Sequence, residues 1–440
     1  MQTYFHQIAD FIKTKIHADE VFLANLSAEE SRFVRFNKSL VRQAGSIKQS
    51  SLTISLIKSN RRAESKLTLS GQRDTDCAQI IGVVDALRRD LADLPEDPYL
   101  LFNLTPQSTE HIGSSSIAAD ADILDQIISA GVDKDLVGLY ATGTIYKGFA
   151  NSFGQRNWHR VDNFNFEWCL YHTADKAVKS SYAGTHWDNA EFTRKMAFAS
   201  EQLAILTRPA KQLPPGQYRA YLAPSAMNEI LDLLSWESFG IKAQRNKQSP
   251  LLKLEEGSVA LHANLNVREN SAEGVAPGFQ ADGFIKPPSV TLIKGGKHAD
   301  ALISPRSARE FGIDTNAANA GEGPEALDMA AGELRREDVL KTLDTGLLIG
   351  NLHYLNYSDR KACRMTGMTR FATFWVENGE IIAPLNVMRF DDSAYRILGD
   401  NLIGLTAERD LMLDSASYGE RSTGSARLPG GLVKDFALTL

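Results

Sequence analysis

Cysteine is scarce in this chain, which has only Cys77, Cys169 and Cys363 among its 440 residues. Three widely separated cysteines cannot build a disulfide framework, and there is no CxxC pair to hold a metal. We therefore expect reduced thiols in or near the core, as in a cytoplasmic protein.

Long apolar runs are missing as well. No stretch approaches the ~18 consecutive apolar residues that span a bilayer. The N-terminal segment 1–6 lacks the basic region and the apolar region of a signal peptide. These absences predict a soluble protein with no membrane partner.

An excess of positive charge is also absent. The sequence has 48 Lys and Arg against 54 Asp and Glu, which gives a formal net charge of -6. Because neutralising nucleic-acid phosphates requires clustered Lys and Arg, we expect no direct contact with nucleic acid.

The motifs of common catalytic sites are not found. A helical zinc site needs two imidazoles on one helix, and no two of the nine histidines lie within ten residues of each other. This excludes a helical zinc motif and leaves only a site assembled from distant loops. GxSxG, P-loop and GxGxxG motifs are missing, and the SxxK match at Ser55 and Lys58 lies in a strand-like alternation rather than at a helix start. The sequence thus nominates no catalytic residue.

The length and composition that remain are those of an ordinary globular protein. At 440 residues, 43% of them hydrophobic, the chain can form two domains with real cores. The clearest boundary is the segment 208–216, where three prolines and a glycine cannot continue a helix or a central strand. We predict an N-terminal α+β domain at 1–207 and a β-rich C-terminal domain at 216–440.

Hydrophobic periodicity predicts the elements of both domains. Helices are expected near 5–16, 75–91, 120–130, 189–206 and 336–343, and after Pro224, where Met227, Ile230, Leu231 and Leu234 share one side. Strands are expected at 21–26, 32–36, 51–57, 136–149, 161–170, 217–222, 289–294, 371–377, 380–384 and 432–438. The segment 269–288 reads as a long loop. The predicted fold class is α+β, with curved, mainly antiparallel sheets and flanking helices.

The most informative stretch is 345–389, which runs from a helix end through a polar, aromatic loop into a hairpin with an Asn378-Gly379 turn. The loop 351–360 concentrates amides, phenols and an imidazole, a chemistry that suits recognition of a peptide backbone. Its alternative role is a satisfied polar network that ties the loop to the sheet. Nearby arginines could hold a carboxylate or a partner's acidic rim. The candidate substrate-binding residues are Asn351, His353, Tyr354, Arg360, Arg364 and Arg370.

These motifs, taken in order, resemble the TldD/PmbA (TldE) family, whose best-known members form a zinc-dependent peptidase. The resemblance covers most of the chain and is strongest from about Pro214 onward. It rests on an NSxG-like turn at 151–154, a segment at 279–283, the approach to the last sheet at 325–332, the pair Thr366-Gly367 and the turn at 377–380.

The resemblance also shows what this chain lacks. In the family, a strand and a proline-started helix lead into the zinc motif HExxxH. We align this motif with 233–240, where Ser235 and Gly240 stand near the two histidine positions and neither can bind zinc usefully. The catalytic member adds a cysteine ligand near its C-terminus, and here no cysteine follows Cys363. The pattern resembles TldE/PmbA rather than TldD.

The resemblance implies a subunit that pairs with a zinc-bearing TldD-like subunit or with itself. It would shape a chamber that admits peptides or unfolded proteins, bind no cofactor and have no catalytic residue, while the partner carries zinc. The alternative is a stand-alone homodimeric peptide- or protein-binding regulator without peptidase activity. The family's label as a modulator of DNA gyrase belongs to that alternative. A third possibility, an enzyme with different chemistry, predicts perturbed His, Asp and Arg side chains around His353.

Overall fold

The computed structural model describes residues 1–173 and 176–439. The helices are α1 (Gln2–Lys13), α2 (Arg73–Asp93), α3 (Asp120–Gly131), α4 (Asn189–Leu206), α5 (Pro224–Ser235), α6 (Ile241–Arg245), α7 (Leu252–Glu255), α8 (Pro305–Phe311) and α9 (Val339–Leu343). A 3-10 turn at Arg336–Asp338 precedes α9, and a π-helical turn lies at Arg396–Asp400.

The strands before the segment 208–216 are β1 (Val21–Asn37), β2 (Leu40–Lys58), β3 (Arg61–Thr68), β4 (Thr109–Ile112), β5 (Asp135–Asn151), β6 (Arg156–Thr173) and β7 (Lys176–Gly184). Those after it are β8 (Gly216–Leu222), β9 (Val267–Glu269), β10 (Val290–Lys294), β11 (Lys297–His298), β12 (Ala326–Met329), β13 (Gly346–Asp359), β14 (Arg364–Glu377), β15 (Glu380–Pro384), β16 (Arg389–Ser393), β17 (Leu402–Leu413) and β18 (Ser425–Leu438).

The first sheet has the order β3-β2-β1-β5-β6-β4, and β7 pairs with β6. Its pairs are antiparallel apart from β4 with β6. Alternation along β6 places the aromatic rings of Phe164, Phe166 and Trp168 on one face, where they are buried. The other face of β6 is therefore free to carry polar groups.

The second sheet has the order β11-β10-β9-β12-β18-β16-β14-β13-β8, with β15 on β14 and β17 on β18. Strand β8 pairs with β13 on one side and with β18 on the other. Each of β13, β14, β16 and β18 pairs with the next. The path of paired strands that leaves β8 through β13 therefore returns to β8 through β18. Helix α5 covers this arrangement with its apolar side, which includes Met227 and Ile230.

One hydrophobic cluster joins the two sheets. Phe166, Trp168 and Phe192 from the first part of the chain pack in the same cluster as Leu348 and Phe374 from the second. The predicted fold class is confirmed, with mainly antiparallel sheets, flanking helices and a β-rich second part.

Three local predictions differ from the structure. The segment 351–360 is not a loop, because β13 continues to Asp359, with irregularities where its register to β14 shifts. The helix aligned with 233–240 ends at Ser235, so Gly240 lies outside it and precedes α6. The two predicted strands 21–26 and 32–36 are one strand, β1, because the mostly polar residues 27–31 between them are paired on both sides.

Candidate functional site

A cavity of about 370 Å³ lies where the first sheet meets α5 and the strands of the second sheet. Its walls come from β6, β7, α5, the start of β13 and the adjoining ends of β17 and β18. Polar side chains dominate these walls, and this distinguishes the cavity from the apolar void between α5 and β9–β10. The larger cavity is the candidate site.

Helix α5 presents one polar stripe to the cavity. Ser225, Asn228, Glu229, Asp232 and Ser235 recur at three- or four-residue spacing and all line it. The opposite side of α5 is buried in the core. Pro224 at the first helical position starts the helix, because its missing N–H needs no partner there. The amphipathic sequence thus fixes which side chains reach the cavity.

Strands β6 and β7 supply the facing wall by alternation. Asn165 pairs in register with Ala183, and Glu167 with Ser181. These four residues line the cavity together with Lys179, two positions before Ser181. The aromatic residues that alternate with them, Phe164, Phe166 and Trp168, are buried in the core, so one face of this hairpin packs and the other lines the cavity.

The cavity carries an excess of negative charge. Among the lining residues that the structure describes are four carboxylates, Glu167, Glu229, Asp232 and Asp414, and one cation, Lys179. Within residues 1–173 and 176–439, the carboxylates of Glu167, Glu229 and Asp232 make no hydrogen bond or ion pair with protein groups. Their charge is therefore uncompensated by close contacts in the chain itself.

Two of these carboxylates titrate abnormally. Burial raises the pKa of Glu229, Lys179 offsets this in part, and Asp232 and Glu167 raise it further. Burial, and then the charge of Asp414, raise the pKa of Asp232, although its side chain remains open to the solvent of the cavity. Partial burial within the cavity walls, together with neighbouring negative charge, thus disfavours the ionised forms.

Two buried amides add acceptors to this wall. Asn165 and Asn351 are each only 8% exposed, and both line the cavity. The amide nitrogen of Asn165 donates to the Leu413 carbonyl at 3.4 Å, and that of Asn351 donates to the Lys179 carbonyl at 3.4 Å. In the described part of the chain neither Oδ1 atom accepts a hydrogen bond. These oxygens are available to a ligand that carries N–H groups.

The structure places one of the six predicted substrate-binding residues, Asn351, in the cavity lining. His353 lies two residues further along β13, and its Nε2 is 3.0 Å from Arg370 Nη1. Burial, followed by the charges of Arg370 and Lys179, lowers the pKa of His353, so the imidazole is neutral near pH 7. His353 and Arg370 therefore form a pair close to the Lys179 wall.

The other three predicted residues lie apart from the cavity. The ring of Tyr354 is 78% exposed. Arg360 forms an ion pair with Glu237 and donates to the Gln248 carbonyl at 3.1 Å, and Arg364 forms an ion pair with Asp391. The two arginines thus already have acidic or carbonyl partners within the chain.

Zinc is the metal that the resemblance implies, and the cavity residues do not fit it. No lining residue is a histidine or a cysteine. Among residues 1–173 and 176–439, no group of three or more His, Cys, Asp or Glu side chains has a geometry that could hold a metal ion. Helix α5, whose C-terminal end overlaps the segment that we aligned with the zinc motif, presents Asn228, Asp232 and Ser235 to the cavity.

The sequence profile of the PmbA/TldA metallopeptidase C-terminal domain matches residues 215–439. The chain belongs to the TldD/PmbA family. A search of the curated proteins finds no matching sequence.

Solved structures of the family share the whole fold. TldE from Thermococcus kodakarensis matches with a TM-score of 0.80 at 12% identity, covering 99% of this chain and 100% of that one. A candidate modulator of a DNA gyrase from Thermotoga maritima matches with a TM-score of 0.77 at 12% identity, covering 99% of each chain. A similarly described protein from Bacteroides thetaiotaomicron gives 0.74 at 14% identity, covering 99% and 98%. At these identities the likeness establishes the fold.

The structure also bears on membrane insertion. None of the helices within the described ranges has the length and apolar character needed to cross a bilayer.

Sequence reasoning missed most of the cavity wall. The residues it did not nominate are Asn165, Glu167, Lys179, Asn228, Glu229, Asp232 and Asp414. A signal was present in two places, because apolar residues on one side of α5 and of β6 leave polar residues on the other. Those polar faces could have been read as the walls of a site.

Proposed function

We propose that this chain is a zinc-less TldE/PmbA-type subunit of a TldD/TldE-like metallopeptidase. In this role it shapes the chamber and binds the peptide substrate, while a TldD-like partner carries zinc and the general base. One observation supports the proposal: the cavity-facing stripe of α5, whose C-terminal end overlaps the segment aligned with the zinc motif, holds amide, carboxylate and hydroxyl groups and no imidazole.

The strands around the cavity support an extended binding mode for the peptide. Strand β7 pairs with β6 along one edge, and β17 pairs with β18 along one edge. In the part of the chain that the structure describes, no strand pairs with the other edge of β7, and the other edge of β17 is bridged at Thr406 by the segment 332–334 but pairs with no strand beside its cavity end. Residues of both strands line the cavity. An extended peptide can add to such an edge through main-chain hydrogen bonds, with side-chain contacts setting preference.

The decisive experiment measures zinc content and peptide hydrolysis for this chain alone and for its mixture with a TldD-like protein from the same cell. We expect hydrolysis only in the mixture, with zinc bound to the partner and activity lost on chelation. Stoichiometric zinc in this chain, with hydrolysis that a chelator removes, would contradict the proposal. A stable homodimer that binds peptide and never enhances a partner's hydrolysis would favour the regulator instead.

A further inference from the structure

The acceptor groups of the cavity define the chemistry of what it can bind. Four carboxylates and the Oδ1 atoms of Asn165 and Asn351 face a space with a single cation, Lys179. A ligand that enters must supply donors and positive charge, because anionic groups would meet uncompensated like charge. Both amides are more than nine-tenths buried and have unused acceptors, so this polarity is built into the wall rather than confined to its rim.

The position of the carboxylates sharpens this argument. Glu229 and Asp232 lie on the stripe of α5, and Glu167 lies across from them on β6. Negative charge therefore lines two sides of one cavity of about 370 Å³. A cavity of this volume holds a few side chains of a peptide but not a folded protein. Within the described residues none of these three carboxylates forms an ion pair, and Lys179 is the one cation among the lining residues.

We propose that this cavity selects positively charged peptide segments, in which Lys or Arg side chains or a terminal ammonium pair with Glu167, Glu229 and Asp232. This inference rests on the proposed function, since it names the class of peptide that the chamber subunit accepts. Backbone N–H groups of the same peptide donate to Asn165 and Asn351. Lys179 limits the selectivity, because it repels a cationic ligand.

The test uses three short fluorescent peptides of equal length in which the variable positions are all Lys, all Gln or all Glu. Binding to the full chain is followed by fluorescence anisotropy near pH 7, at low and at high salt. We expect the Lys peptide to bind at least about tenfold more tightly than the Gln peptide, with the Glu peptide weakest. Salt should reduce these differences, because partly exposed ion pairs are screened.

Variants locate the effect in the cavity. Glu229→Gln with Asp232→Asn should remove most of the preference for Lys over Gln, whereas Lys179→Gln should increase it. Glu201 on α4 is exposed and is not a lining residue, so Glu201→Gln is the matched control and should leave the preference unchanged. Circular dichroism of each variant verifies that it is folded.

The outcomes separate this inference from the proposed function. Equal affinities for the three peptides, or tightest binding of the Glu peptide, would overturn the charge preference and leave peptide binding in place. A Lys preference that survives the double substitution would also overturn it, since the charge would then be recognised elsewhere. Failure of all three peptides to bind would contradict both proposals.

Discussion

At the scale of single residues, the carboxylates that are proposed to bind cationic ligands also lower the stability of the fold when they are ionised. The surroundings of Glu229 raise its pKa, which means that folding makes ionisation harder. The resulting penalty is present above the folded pKa and vanishes below the unfolded pKa. We therefore predict that Glu229→Gln increases the free energy of unfolding near pH 7, and that this gain closes as the pH falls toward about 4.

Urea denaturation of wild type and variant at several pH values measures this difference. Glu201→Gln, at an exposed position of α4, serves as the control and should change stability by less than about 0.5 kcal/mol at any pH. A Glu229→Gln protein that is less stable than wild type at pH 7 would show that the carboxylate is satisfied by partners in the fold.

The same groups give a pH dependence for ligand binding. The charged groups that face the cavity are Glu167 on β6, Lys179 on β7, Glu229 and Asp232 on α5, and Asp414 after β17. Because the pKa values of Glu229 and Asp232 are raised, these groups take up protons at a higher pH than ordinary carboxyls. We predict that the affinity for the Lys peptide falls as the pH is lowered from 7 toward about 4, while that for the Gln peptide changes little; anisotropy titrations across this range measure this. Parallel pH profiles for the two peptides would contradict it.

A glycine in the first sheet tests backbone geometry. Gly143 on β5 has φ +134°, and a Cβ there would lie 2.1 Å from the Glu30 carbonyl oxygen. Neither the backbone angle nor the neighbouring strand admits a side chain, so Gly143→Ala should reduce the free energy of unfolding by about 2–4 kcal/mol. Gly82→Ala is the matched control: it lies in α2 with nothing near its Cβ position, and it should stabilise by about 0.5–1 kcal/mol. Urea unfolding measures the free energy of unfolding of both variants, which should fall for Gly143→Ala and rise for Gly82→Ala.

At the scale of elements, an ionic link connects α4 to the second sheet. The Lys195 ammonium lies 2.6 Å from the Asp410 carboxylate on β17, and Arg336 Nη2 lies 2.8 Å from it. Burial opposes ionisation of Asp410, but the two cations outweigh it and hold its pKa below the usual value. Its contribution to stability is therefore present above the unfolded pKa and lost as the pH falls through the folded one.

We predict that Asp410→Asn destabilises the protein near pH 7 by about 1–3 kcal/mol, between the values for exposed and buried pairs. The difference in the free energy of unfolding between Asp410→Asn and wild type should decrease below about pH 4. Thermal or urea unfolding across this range measures it, with the exposed Asp125→Asn on α3 as control. An Asp410→Asn deficit that is constant down to pH 3 would show that packing, not charge, is what the substitution removes.

Element-scale patterns also explain what the sequence could predict. Local periodicity predicts α5 because the apolar side of this helix is continuous. It predicts the β5–β6 hairpin because the two strands are neighbours in the sequence. The cavity is different, because Glu167, Asp232 and Asp414 are distant in sequence and meet only through the folded arrangement. The composition of the segment 351–360 predicts a loop, but residues up to Asp359 form a strand because pairing with β14 outweighs that composition. No signal within the segment itself indicates this partner strand.

At the scale of the whole molecule, the hydrophobic cluster that joins the sheets should make them unfold together. Phe374 on β14 is fully buried in the cluster that contains Phe166 and Trp168 of the first sheet. Removing its ring leaves a cavity between both sheets, so Phe374→Ala should cost about 3–5 kcal/mol. Hydrogen exchange in mild denaturant should show equal losses of protection in β5–β6 and in β13–β14.

Phe198→Ala provides the comparison, because that ring on α4 is 44% exposed and its removal should change stability by less than about 1 kcal/mol. If Phe374→Ala accelerates exchange only in β13–β14, the first sheet unfolds as a separate unit and the shared cluster adds little to its stability. If both sheets lose protection equally, the walls of the cavity are held by one cooperative structure. The cavity would then keep its shape as long as the whole chain stays folded, which the proposed role in shaping a chamber requires.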